Sequence, residues 1–142
     1  MNGHFIQDNI SKSKYGVLRG LHFQKSEYAQ AKLVSCIQGK VWDVAVDLRE
    51  GSPSFGKWFG IELSDENKLQ FYIPRGFAHG FCVLSEEAIF SYKCDNFYNK
   101  EYEGSIKFND PDLNIDWKLK EHVMILSEKD KIAPLFKDNC MF

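Results

Sequence analysis

Little in this sequence invites a nucleic-acid or membrane partner. Acidic and basic side chains nearly balance, 20 against 18, and a net charge of −2 excludes the broad positive field that grips nucleic acid or an anionic membrane. An anionic ligand must then be held by a few local cations. No apolar run is long enough to cross a bilayer, and the opening MNGHFIQDN has no basic region leading into an apolar one, so a cytoplasmic protein is expected. The four cysteines, Cys36, Cys82, Cys94 and Cys140, form no CxxC pair, which disfavours a zinc site or a redox motif. Reduced and mostly buried thiols are expected instead. Repeats, low-complexity tracts and linkers are also missing, and 142 residues, 44% of them apolar, suit a single domain over 1–142.

What the chain does have is punctuation at short intervals. Turn signals stand at Gly39-Lys40, GSPSFG (51–56), SDEN (64–67), PRGFAHG (74–80) and NDPD (109–112). Between them lie alternating segments rich in β-branched and aromatic residues: 32–37, 41–48, 69–73 and 88–94. The expected fold is mainly β, a cupin-like jelly-roll barrel, with short helical structure only in the C-terminal part around 119–131. Period-two geometry puts Phe90, Tyr92 and Cys94 on one face of a strand, so Tyr92 can point into a barrel lumen. By periodicity alone Tyr92 reads as a core aromatic. Lys32 shares a face with Val34 and Cys36, yet at a strand start the simpler reading is an ammonium reaching water.

Four histidines occur. His4 and His122 stand in polar surroundings and receive no role. His22 (VLRGLHFQ) and His79 (IPRGFAHGF) each follow a glycine-containing turn with an arginine shortly before. Arg19 offers a planar fork of donors suited to phosphate or carboxylate. The segment Pro74–His79 resembles the PxGxxH half of the cupin signature, which in metal-binding cupins supplies one ligand. His22 has no HxH partner, so no metal is expected, and side-chain acid–base chemistry is favoured.

Longer stretches carry a more specific likeness: FIQDNISKSKYGVLRGLHFQ (5–24), QAKLVSCIQGKVWDVAVDLREGSPSFG (30–56), IPRGFAHGFCVLSEEAIFSYK (73–93) and LSEKD (126–130). Together they resemble the dTDP-4-dehydrorhamnose 3,5-epimerase family, from about Phe5 to Phe136. The resemblance implies epimerisation at C3 and C5 of dTDP-4-keto-6-deoxyglucose, without a cofactor, on the route to dTDP-L-rhamnose for cell-surface polysaccharide. It implies that His22 of LRGLH is the general base, that Asp130 of SEKD orients it, and that Tyr92 is the general acid. Lys32 is implied at the enolate or substrate, with His79 lining the same pocket. Nucleotide contacts are implied for Gln7, Asp8, Asn9, Arg19, Glu103 and Lys129, and stacking on the base for Tyr98, whose own context reads as a partly exposed turn aromatic.

The family begins with a further N-terminal segment, whereas this sequence enters the pattern at QDN. We therefore expect an N-terminally short barrel with an open β edge, and a homodimer formed by sheet pairing. Two other readings stand beside the enzyme: a barrel of the same family that only binds a nucleotide sugar or acts at one centre, and a metal-dependent cupin.

Overall fold

A computed structural model describes residues 4–139. Cys140 lies outside the described residues. Among the described residues nine strands run in chain order: β1 (Gln7–Lys14), β2 (Leu18–Gln24), β3 (Lys32–Gln38), β4 (Lys40–Asp47), β5 (Trp58–Ser64), β6 (Gln70–Ile73), β7 (Phe77–Val83), β8 (Glu87–Cys94) and β9 (Glu103–Ser105). They form two antiparallel sheets, ordered β1-β8-β3-β6 and β5-β4-β7-β2-β9. The helical content is short, as expected, but not confined to the expected 119–131: α1 (Glu128–Lys131) and a 3-10 turn at Glu121–Val123 fall there, whereas further 3-10 turns stand at Ser26–Tyr28, Lys100–Tyr102 and Phe136–Asp138.

The sheets face each other across a core of Val34, Val41, Leu63, Ile73, Val83 and Phe90. The five-stranded sheet is covered on its other face too. Leu18, Leu21, Val44, Val46 and Cys82 pack there against Ile106, Phe108, Leu113 and Trp117 from the C-terminal segment. This double cover explains why β4 is buried on both faces from Asp43 to Asp47. The Trp117 indole N–H donates to the Phe108 carbonyl at 2.8 Å and fastens that segment.

Two glycine-containing stretches read as turns behave differently. PRGFAHG turns only through Gly76, and Phe77 onward is β7, so His79 projects from a strand. His22 likewise sits within β2. There the register against β7 shifts between Arg19 and His22, and the peptide Gly20–Leu21 is cis. Glycine serves here for close approach of two backbones: a Cβ on Gly20 would lie 2.6 Å from the Gly80 Cα.

Candidate active site

The facing sheets enclose an inner space that is apolar at one end and polar at the other. The polar end comes from one-sided alternation. Lys32 precedes Val34 and Cys36 on the inner face of β3, and Tyr92 follows Ala88 and Phe90 on β8. On β2 strict alternation would put Arg19 and His22 on opposite faces, being three residues apart. The one-residue shift at Gly20 turns both toward the same cavity.

The inner lobe of this cavity, about 180 Å³, is walled by Arg19, His22, Lys32, His79 and Tyr92, together with Ser11 and Phe81. An outer lobe of about 300 Å³ shares His22, Lys32 and Tyr92 and adds Gln7, Asn9, Tyr98 and Glu103. A flanking groove of about 310 Å³ joins Arg19 and His22 to Lys129 and Asp130. Eleven of the twelve residues singled out in the sequence thus meet at one connected site. Asp8 is the exception: one step along β1 from Gln7 and Asn9 it faces outward, ion-paired with Lys93 at 3.0 Å.

His22 Nε2 and Asp130 Oδ1 lie 2.6 Å apart. The other carboxylate oxygen accepts from the Gly20 N–H at 3.2 Å, and Ser127 caps α1 by accepting from the Asp130 N–H. Burial pushes the Asp130 carboxyl up, but the His22 ring, the Gly20 N–H and the Ser127 hydroxyl outweigh it and hold the group below the ordinary carboxylate value. An ionised carboxylate only accepts, so Nε2 carries a hydrogen, and the lone pair of the neutral ring is then the one on Nδ1. Tyr92 is raised by burial and by the neighbouring Cys94, against the pull of Arg19, and therefore holds its proton.

Lys32 is not the exposed strand-start residue that periodicity alone favoured. Its ammonium lies 5.5 Å from the centre of the Tyr92 ring, and burial lowers its pKa despite Cys94 and Asp43 nearby. Asp43 escaped notice in the sequence. It is fully buried on β4, and its two oxygens lie 2.9 and 2.8 Å from His79 Nε2. Burial raises Asp43 and lowers His79, each opposed by the other. The available signal was a carboxylate inside the apolar run VWDVAV, where it must have a partner. At the mouth, the Tyr98 hydroxyl bonds Glu103, which also pairs with Lys129. Among the described residues no three His, Cys, Asp or Glu side chains converge as metal ligands.

Fold and site together define a cupin-like barrel built around a His–Asp pair that faces a tyrosine and a lysine. Residues 1–138 match the family described as dTDP-4-dehydrorhamnose 3,5-epimerase, and the chain belongs to that family. The enzyme of that name from Shigella flexneri is 57% identical over 134 residues, which are 94% of this chain and 73% of that protein. The crystal structure of dTDP-4-dehydrorhamnose 3,5-epimerase from Elizabethkingia anophelis NUHP1 superposes with a TM-score of 0.96 at 77% identity, covering 97% of this chain and 76% of that one. The 3,5-epimerase of Legionella pneumophila Philadelphia 1, in complex with dTDP-4-keto-L-rhamnose, gives 0.93 at 56% identity, covering 97% and 72%.

Proposed function

We propose that this chain is an isomerase converting dTDP-4-keto-6-deoxyglucose to dTDP-4-keto-L-rhamnose by inverting C3 and C5, a step of dTDP-L-rhamnose biosynthesis. The observation that carries the reading is the 2.6 Å His22–Asp130 pair opening on the same lobe as Tyr92 and Lys32. The C4 ketone acidifies the hydrogens on C3 and C5. His22 removes one of them, and Asp130 stabilises the imidazolium that forms. The enolate oxygen is met by the Lys32 ammonium, which is worth more in a site shielded from water than in solvent. Tyr92, kept protonated by its surroundings, returns a proton on the other face of the ring, and the centre is inverted.

The outer lobe and the flanking groove together suit the nucleotide. Gln7 and Asn9 supply amide groups, Tyr98 a ring for the base, and Arg19 and Lys129 the cations that a diphosphate needs in a chain with little positive charge overall. Asp8 has no part in this. We also infer a homodimer, supported by β1 lying at the edge of its sheet with β8 as its neighbour. A cytoplasmic setting agrees with the three buried free thiols of the described residues.

Proton NMR of the protein with dTDP-4-keto-6-deoxyglucose in deuterated buffer tests the activity. Deuterium should enter at both C3 and C5. His22→Ala should abolish this, while Tyr92→Phe should keep exchange and lose inversion, because His22 can return a proton only to the face it came from. A folded protein that binds the nucleotide sugar without any exchange would leave a binding barrel, and exchange at one carbon a single-centre epimerase.

A further inference from the structure

Of the seven side chains that wall the inner lobe, six carry a polar group. Ser11, Arg19, His22, Lys32, His79 and Tyr92 each bring a hydroxyl, a cation or an imidazole, whereas Phe81 has no polar atom. Phe81 stands two residues beyond His79 on the same face of β7, with ring centres 6.4 Å apart. Its freedom to turn away is small: it is 4% exposed, and its ring stacks on Phe90 at 4.2 Å between centres and 21° between planes. Phe90 is itself 1% exposed in the core between the sheets. The surface that Phe81 offers the cavity is therefore fixed in place and without hydrogen-bonding capacity.

The substrate has a matching asymmetry. Two carbons flank its ketone; C3 carries a hydroxyl and C5, which is bonded to the ring oxygen, carries a methyl, so the two flanks differ in polarity. A base and an enolate partner alone do not tell the two flanks apart. We propose that Phe81 is a specificity-determining residue that receives the C5 methyl and so selects 6-deoxy sugars over those with a 6-hydroxyl. This rests on the enzymatic reading above. Phe81 walls the same lobe as Lys32, His22 and Tyr92, the groups that meet the ketone and its flanking carbons, and its ring is the wall there that a methyl can adjoin without stranding a polar group. The hydroxyl-bearing flank is left to the polar walls. A 6-hydroxyl pressed against the Phe81 ring gives up water and gains no partner, a loss of about ten- to a hundredfold in affinity.

The test compares calorimetric affinities for dTDP, dTDP-6-deoxyglucose and dTDP-glucose. The two sugars differ only in the 6-hydroxyl and lack the ketone, so binding is read without turnover. The wild-type protein should prefer the 6-deoxy sugar by about tenfold or more. Phe81→Leu should keep the preference and Phe81→Asn should lose it, with dTDP affinity reporting that each variant is folded. A measurement on the wild-type chain needs no variant: a nuclear Overhauser contact between the bound methyl and aromatic protons should vanish when phenylalanine alone is deuterated. Equal wild-type affinities, a preference that survives Phe81→Asn with dTDP binding intact, or a methyl contact unaffected by deuterated phenylalanine would overturn the inference while leaving the activity standing. Should wild-type protein fail to bind dTDP itself, both readings fall together.

Discussion

Asp130 shows how one residue is made useful by what surrounds it. It is 2% exposed, which alone would favour a neutral acid, yet an imidazole, a backbone N–H and a hydroxyl keep it ionised. The charge matters more than the shape. Asp130→Asn preserves volume and an oxygen for the Gly20 N–H, but a neutral amide neither favours the required tautomer nor stabilises the imidazolium. We expect kcat for exchange at C3 and C5 to fall about a hundredfold or more, with KM little changed. Steady-state and deuterium-exchange kinetics on the variant check this, and a loss of only a few-fold would mean that Asp130 merely fills space. At this scale alternation made the inward face of Tyr92 legible from the sequence, while its role and those of His22, Asp130 and Lys32 came from the family resemblance. Asp43 was not legible, because β4 is apolar on both sides of its sheet, and period two cannot say which face holds a carboxylate or that a histidine 36 residues away will meet it.

Strands were legible where one face is dry. The alternating segments 32–37, 41–48, 69–73 and 88–94 fall within a residue of β3, β4, β6 and β8 at either end. β2 was not, since its decisive feature is an interruption: LRGLH reads as a turn because a glycine is as useful in a turn as in a strand that must lie close to another backbone. The distinction predicts a stability difference. Gly20 has φ +133°, and a Cβ there meets the Gly80 Cα at 2.6 Å and the His79 carbonyl oxygen at 3.0 Å, wedging β2 from β7 between the two histidines. Gly51 also has a positive φ, +84°, but nothing lies within 4 Å of its Cβ position. Gly51→Ala therefore reports a positive-φ cost without crowding, whereas Gly20→Ala adds, to the backbone cost of its own φ, overpacking of about 1–3 kcal/mol. Urea unfolding of both variants separates the contributions. Equal destabilisation would show that the two strands part without resistance and that the close approach does not hold the register shift in place.

For the molecule as a whole, the same burial that shapes the cavity links its chemistry to folding through protons. Lys32 is lowered by burial, so in the window between its folded value and the ordinary lysine value the unfolded chain binds a proton that the native state has released. Stability from this group therefore rises with pH across that window. Activity should do the opposite, because the ammonium that meets the enolate is being lost. Cys36 and Cys82 pull stability the other way: burial raises them to about 11 and about 12, so the native state keeps protons that the unfolded thiols give up from about pH 9 upward. The lysine contribution is accordingly read as a difference. Melting temperatures of wild type and Lys32→Met followed from neutral to alkaline pH should converge as the lysine loses its charge, the variant being relatively more stable at the neutral end. Over the same range the wild-type kcat should fall at a pH below the ordinary lysine value, and Lys32→Arg, which stays charged, should lose that limb even where its kcat is lower. Melting curves that stay parallel, or an alkaline limb identical in Lys32→Arg, would place the titration elsewhere and remove Lys32 from the role of enolate partner.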